Sequence, residues 1–365
     1  MPESYPRAVP RAHGLALACA QMKLIPEDFQ VDERLGFAPE GDGSHAWLRI
    51  RKTGQNTQWV ASELAKASDN RDVDIGFAGM KDRHAVTTQW FSVDLKGRPM
   101  PDWSATFGED TQVLEVTRHP RKLRRGQLSG NDFRINLRIT HGLSQDAAPQ
   151  SAPSAETLDA RIGVIRATGV PNYFGPQRFG RDGQNLAAAA RMFSGGRVPR
   201  GRHQRGIYLS AARAQLFNDV LAARVRDNTW AQIIPGEAVL ASDTARAFPH
   251  HRSREAAAQT LENALRTQRV HPTGPLWGRG ESVALGHALA LERAIVQEHE
   301  AFAQGLERAG LAQERRALRL SVDNLVVDRA DTCLVMAFGL PRGCFATSVV
   351  RELVRTRDAT SGLVD

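Results

Sequence analysis

Cysteine is scarce in this 365-residue chain: Cys19, Cys333 and Cys344 are widely spread and include no CxxC pair. That excludes a disulfide scaffold and a zinc cage built on sequence spacing, and a reduced, cytoplasmic setting is the expectation. No apolar run approaches the ~20 residues of a membrane helix, so the chain should be soluble. The short run Leu15 to Ala20, behind Arg7 and Arg11, falls below the ~7–15 residues of a secretory core and meets Gln21 and Lys23 at once. A signal peptide is therefore not expected. A Walker GxxxxGK[ST] loop is missing, and Gly41-Asp42-Gly43 is a lone GxG ahead of a strand-like segment, which excludes a dinucleotide fingerprint. Asp82 is the only acid between Asp74 and Asp94, too few for two-metal phosphodiester cleavage, and His84 has no partner at metal-ligand spacing.

What is present is a globular composition, 41% hydrophobic and 24% charged, in a chain long enough for about two domains of ~150 residues. The net charge of +8 favours an anionic partner. Only six of the 48 basic residues are lysines, and GC-rich coding could supply so much arginine without any functional pressure. Clustering favours function: Arg118, His119, Arg121, Lys122, Arg124 and Arg125 crowd one segment, and Arg197, Arg200, Arg202, His203 and Arg205 another. Two basic loops point to nucleic acid more than to a merely solvated face.

Period-two patterns dominate the first part of the chain and return near its end, while the middle reads as helices, so a split domain with an insertion is expected. Strands are predicted over 45–52, through Val73, Ile75 and Phe77, over 89–95 and over 131–139. In the last, Phe133, Ile135, Leu137 and Ile139 share one face, and Arg134, Asn136 and Arg138 the other. Helices are predicted over 57–67, capped by Asn56, then along Leu158, Ile162 and Ile165 up to Gly169, and over 184–193, 210–225, 253–265 and 283–308. Residues 141–153 read as a linker. Strand character returns around 318–322 and 333–337, and a last helix is expected over 348–355.

The loop from Gly79 to Thr87 is the best place for chemistry. Asp82 stands between Lys81 and Arg83, whose charges would keep its carboxylate ionised as a nucleophile or base, at a junction of two strands. An ordinary solvated turn would read the same way. A protein acting on a base in folded RNA needs aromatic faces to restack it, for which Phe29, Phe133 and Phe338 are candidates, although periodicity places Phe133 in a core. Asn131 could present its amide to a base edge or simply make a turn. A non-catalytic RNA-binding protein and a metal-dependent RNA hydrolase are competing readings.

Four segments, in order, are Pro26-Glu27-Asp28-Phe29-Gln30-Val31-Asp32-Glu33, Gly79-Met80-Lys81-Asp82-Arg83-His84-Ala85-Val86-Thr87, Val170-Pro171-Asn172-Tyr173-Phe174-Gly175-Pro176-Gln177-Arg178-Phe179-Gly180 and Phe345-Ala346-Thr347-Ser348-Val349-Val350-Arg351-Glu352. They resemble the motifs of the tRNA pseudouridine synthase D (TruD) family, with Met80 where leucine is common. The resemblance implies an α+β fold: a mixed, largely antiparallel sheet flanked by helices and interrupted by an inserted, mostly helical α/β domain. On the strand distribution the catalytic domain would span 1–156 plus 312–365, and the insertion 157–311. The resemblance further implies isomerisation of uridine to pseudouridine at position 13 of tRNA without cofactor or metal, and no obligate protein partner. Asp82 would be the catalytic aspartate, with Lys81 and Arg83 in support. Phe29, Asn131 and Phe338 would hold the flipped nucleotide, with Phe133 lining the pocket and Lys23 a candidate active-site lysine. Arg121, Lys122, Arg124 and Arg125, together with Arg200, Arg202 and Arg205, would grip the RNA backbone.

Overall fold

The computed structural model describes residues 9–359 except 104, 141–152, 243–246, 250–254 and 331. The first part of the chain supplies β1 (Ala18–Met22), β2 (Phe29–Arg34), β3 (His45–Thr53), α1 (Thr57–Ala67), β4 (Gly76–Phe77), β5 (Val86–Asp94), β6 (Thr111–His119) and β7 (Gly130–Ile139). The middle supplies α2 (Ala155–Thr168), β8 (Val170–Pro171), α3 (Gln184–Phe193), α4 (Arg202–Arg226), β9 (Ala238–Ala241), β10 (Phe248–Pro249), α5 (Glu255–Arg266), β11 (Val270–Leu276), α6 (Gly286–Gln297) and α7 (Glu300–Arg308). The end supplies β12 (Glu314–Ala317), β13 (Arg319–Leu320), β14 (Asp323–Ala330), β15 (Cys333–Pro341), α8 (Ala346–Val350) and β16 (Val354–Asp358).

The fold is α+β. Its main sheet runs β14-β15-β7-β2-β5-β3-β6, and so takes strands from both ends of the chain. The pairs along it are antiparallel except β2 with β5; β16 lies parallel to β1, which also meets β7. A second sheet, β10-β9-β11-β12, takes three strands from the middle of the chain and β12 from its end, and the short pair β8–β13 joins where the chain enters and leaves that region. Helix α4 forms its spine: Leu216 and Ala212 pack with Leu186 of α3 and Leu306 of α7, while Phe217 and Leu221 pack with Trp230 and Leu318.

Local signals account for most boundaries. Asn56 accepts the Trp59 N–H at 2.7 Å and starts α1; Gly169, at φ 75°, ends α2 in a conformation that a side chain disfavours. In β7, Phe133, Ile135 and Leu137 are buried and Arg134 is exposed, as the alternation requires.

Four expectations need correction. Residues 72–74 make a 3₁₀ turn and Val73 is exposed, so the strand shrinks to Gly76–Phe77. The second basic segment is not wholly a loop, because α4 begins at Arg202. The helix expected over 283–308 breaks at His299, whose φ of −120° is non-helical. The last helix ends at Val350, and Val354–Asp358, where β-branched Val354 and Thr356 alternate with polar residues, becomes β16 beside β1. Most of the expected 141–153 linker lies outside the described residues.

Candidate active site

The β2–β7 register sets Val31 opposite Phe133 and Glu33 opposite Asn131, while the β2–β5 register sets Gln30 opposite Val86. Phe29, Val31 and Glu33 therefore share the face that carries Asn131 and Phe133, and the loop ending at Ala85 arrives beside the start of β2. A cavity opens there, lined by Lys23, Phe29, Val31, Lys81, Asp82, Asn131 and Phe133 on one side. Gln177 and the Cys344–Thr347 segment close the other side, two segments drawn together at Gly175, where a Cβ would come within 2.8 Å of Thr347 Oγ1.

The loop that carries Asp82 is anchored on buried polar groups. Thr57 Oγ1 accepts the Lys81 N–H at 2.9 Å and donates to Gln89 Oε1 at 2.8 Å, while Gln89 Nε2 donates to Gly79 O at 3.1 Å. Lys52, fully buried, donates to Gln55 O at 2.5 Å and to Asp82 O at 3.4 Å. Burial pushes the Lys52 amine down to about 8, against the pull of the Asp82 charge.

Asp82 is 30% exposed and faces a cation, though not either neighbour in sequence. The Lys23 side chain is 3% exposed, and its Nζ lies 2.5 Å from Asp82 Oδ2 and 3.4 Å from Asp358 Oδ2, and 4.5 Å above the Phe29 ring. His84 donates its backbone N–H to Asp82 Oδ1 at 3.1 Å. The expected clamp on the aspartate is corrected: the loop bends over residues 83–85, Asp82 Oδ1 closes a local turn on His84, and both flanking cations find other partners. Lys81 turns to Glu33 Oε2 at 2.9 Å and Asn131 Oδ1 at 2.5 Å, and Arg83 donates to Gly54 O at 3.1 Å.

The turn between β1 and β2 is built on Asp28. Its buried carboxylate accepts Arg138 Nη2 at 2.8 Å, Arg138 Nε and Asn136 Nδ2 at 3.0 Å, and the N–H groups of Leu24 at 3.1 Å and Ile25 at 3.2 Å. Burial works to raise its pKa, but hydrogen bonds from Arg138 and Ile25, the Arg138 charge and the Asn136 amide outweigh it, and the carboxyl lies below its ordinary value. Lys23 enters the turn with φ 61°, a left-handed conformation that swings it out of the strand pleat toward Asp82.

Of the expected stacking rings, Phe29 and Phe133 line the cavity, 6.1 Å apart and edge to face. Phe338, 3% exposed, pairs opposite Phe133 on the same face of the sheet and stacks on its ring at 5.5 Å, but β15 lies one strand further from the Asp82 loop, and Phe133 rather than Phe338 lines the cavity. Phe345 supplies the ring on the far side. The first basic segment is partly engaged: Lys122 donates to Val73 O at 2.6 Å and Arg125 lies 3.8 Å over the Phe77 ring, while Arg121 and Arg124 are exposed. Arg200, Arg202 and Arg205 are exposed.

A family model described as tRNA pseudouridine synthase D (TruD) matches residues 17–195 and 197–353. The chain belongs to that family. It is 47% identical over 347 residues to tRNA pseudouridine synthase D of Methylococcus capsulatus, covering 95% of this chain and 94% of the relative. It is 45% identical over 365 residues to tRNA pseudouridine synthase D of Xanthomonas campestris pv. campestris, covering 96% and 95%. A crystal structure of the putative tRNA pseudouridine synthase D from Methanosarcina mazei superimposes with a TM-score of 0.66 at 19% identity, covering 94% of this chain and 95% of that one, and so shares the fold. Among the described residues, no helix of this family member is long and apolar enough to cross a membrane.

Glu33, Lys52, Gln177, Phe345 and Asp358 were not among the residues expected at the site. Glu33 and Lys52 did carry a signal. Each continues the buried alternation of its strand, Phe29-Val31-Glu33 and Leu48-Ile50-Lys52, where a charge is out of place unless it has a partner.

Proposed function

We propose that the chain isomerises uridine to pseudouridine at position 13 of tRNA in the cytoplasm, with Asp82 as the catalytic carboxylate and no cofactor. Family membership makes it a tRNA pseudouridine synthase, an isomerase; the proposal lies in the position, the residue roles and the cofactor-free chemistry. The observation that carries it is a carboxylate held 2.5 Å from a buried ammonium at the wall of a cavity whose other walls are aromatic rings and amides.

The isomerisation moves the sugar bond of uracil from N1 to C5. The N1–C1′ bond breaks, a C5–C1′ bond forms, C5 loses its proton and N1 gains one. Substrate and product have the same composition, so no electron acceptor is required. Asp82 either attacks C1′ or removes the 2′ proton to give a glycal, and on both routes its carboxylate supplies the electron pair, with Lys23 as its counter-ion at 2.5 Å. The target base must first leave its stack, at a cost of a few kcal/mol; stacking on Phe29 and Phe133 would offset about 1–3 kcal/mol per ring. Residues 1–156 with 312–365 would form the catalytic domain, and 157–311 an insertion whose Gln177 reaches back to the cavity.

Incubation of the protein with unmodified bulk tRNA, followed by carbodiimide mapping, tests the proposal. A single new pseudouridine at position 13 is expected. Pseudouridine at other positions only would refute the assignment of site, and none in any tRNA would refute the function.

A further inference from the structure

The Lys81 ammonium can only donate hydrogen bonds, so the Asn131 atom 2.5 Å from it must be the carbonyl oxygen. The NH2 group of Asn131 is then at the opposite end of the amide. Among the described residues that group has no hydrogen-bond partner, while Asn131 lines the cavity. Lys81 is held in turn: its ammonium lies 2.9 Å from Glu33 Oε2, the Glu33 side chain is fully buried, and its other oxygen accepts the Trp90 N–H at 3.2 Å. A buried ion pair is a weak source of stability because both charges lose their water, and its best-attested use is to fix one arrangement over another. Here it fixes an amide. Uracil and cytosine differ at one edge that such an amide can read: uracil presents a carbonyl acceptor at O4, cytosine an amino donor at N4.

We propose that Lys81 is a positioning residue for base choice: braced by Glu33, it holds Asn131 with its NH2 group toward the cavity, so the site accepts the carbonyl edge of uracil and rejects the amino edge of cytosine. The inference rests on reading this cavity as the seat of the flipped uridine. Two donors facing one another, with a bound base shielding them from water, leave both unpaired, which is how a polar pocket discriminates strongly between bases of nearly equal size.

The test is competition binding to the full chain with three transcripts that carry uridine, cytidine or an abasic residue at the mapped target position. The wild type should prefer the uridine transcript over the cytidine one by about 10-fold or more. In Lys81→Met the amide is free to turn over, and the preference should fall to within about 2-fold of unity while abasic binding stays as in the wild type. In Asn131→Asp, Lys81 still holds one oxygen and the other faces the cavity as an acceptor, so the cytidine transcript should bind at least as well as the uridine one. Lys81→Met with wild-type abasic binding and the wild-type preference would overturn the inference, as would an unchanged preference in Asn131→Asp, which decides the matter alone if Lys81→Met does not fold. Pseudouridine formation by the wild type separates the two levels: none at all refutes the reading of the site, whereas normal formation with unchanged preferences refutes only the role of Lys81.

Discussion

Lys23 and Asp82 stand 59 residues apart in sequence, yet the ammonium of one lies 2.5 Å from the carboxylate of the other at the wall of the cavity. Lys23 arrives at the end of β1 and Asp82 on the loop before β5, so the pair exists only in the assembled sheet. Lys23→Met keeps most of the side-chain volume and the same backbone demand while removing the charge. Turnover should fall by about 100-fold, the usual range for removal of one electrostatic or proton-transfer group, with tRNA affinity within a few-fold. Single-turnover rates measured beside filter binding check this; an unchanged rate would remove Lys23 from the chemistry.

Asp28 shapes the turn that presents both Lys23 and Phe29. Asp28→Asn weakens hydrogen bonds to a guanidinium and to two backbone N–H groups, and should cost roughly 2–3 kcal/mol in urea unfolding at pH 7. Because the folded carboxyl lies below its ordinary value, its stabilising effect is present above the free-aspartate value near ~3.9 and is lost as pH falls through the folded value. The variant should therefore lose less stability than the wild type when both are titrated below pH ~4. Parallel acid limbs would contradict this.

His271 gives a second pH signature, in the middle region. Burial and the adjacent Arg319 guanidinium push its pKa from 6.5 to about 4, and Arg319 Nε donates to its Nδ1 at 3.1 Å while Ser242 Oγ lies 2.9 Å from Nε2. Between those values the unfolded chain binds a proton that the folded chain refuses, so stability falls as pH drops from 6.5 toward 4, by about 3 kcal/mol over the full window. An imidazole resonance that titrates near 4 and a matching loss in denaturant midpoint are expected; titration near 6.5 would contradict the burial argument.

Arg202 and Arg205 ride three residues apart on the first turn of α4, where the helix has no side-chain cap, and Arg200 precedes them. Exposed guanidiniums on one face at a helix N-terminus suit phosphate. Replacing all three by Ala should weaken tRNA binding and lower the slope of log K against log salt by about two to three. An identical slope would place this cluster outside the RNA interface.

The sequence was most readable where one local rule acts alone. The alternation in β7, the Asn56 cap and the Gly169 stop each follow from short-range chemistry, and the structure keeps all three. It was less readable where a partner arrives from far away. Lys81 and Arg83 flank Asp82 in the chain, but Lys81 pairs with Glu33 and Arg83 donates to Gly54 O, so the counter-ion is Lys23, just beyond β1. Phe338 has a loop-like glycine and proline after it, yet it stays within β15 and is covered by its stack on Phe133. Glu33 and Lys52 could have been found, since each breaks an apolar alternation from within. Gln177 and Phe345 stand in two of the four family-like segments, but nothing local in them points to the cavity, because only the packing of the middle region and the chain end against the sheet brings them there.

The central claim is that the Asp82 carboxylate performs the isomerisation, and tritium release from tRNA labelled at C5 of uridine, with Asp82→Asn beside the wild type, tests it most directly. The amide keeps the size of the side chain and removes its charge. No release above background is expected, with tRNA affinity within a few-fold of wild type. Release at a rate near that of the wild type would contradict the account.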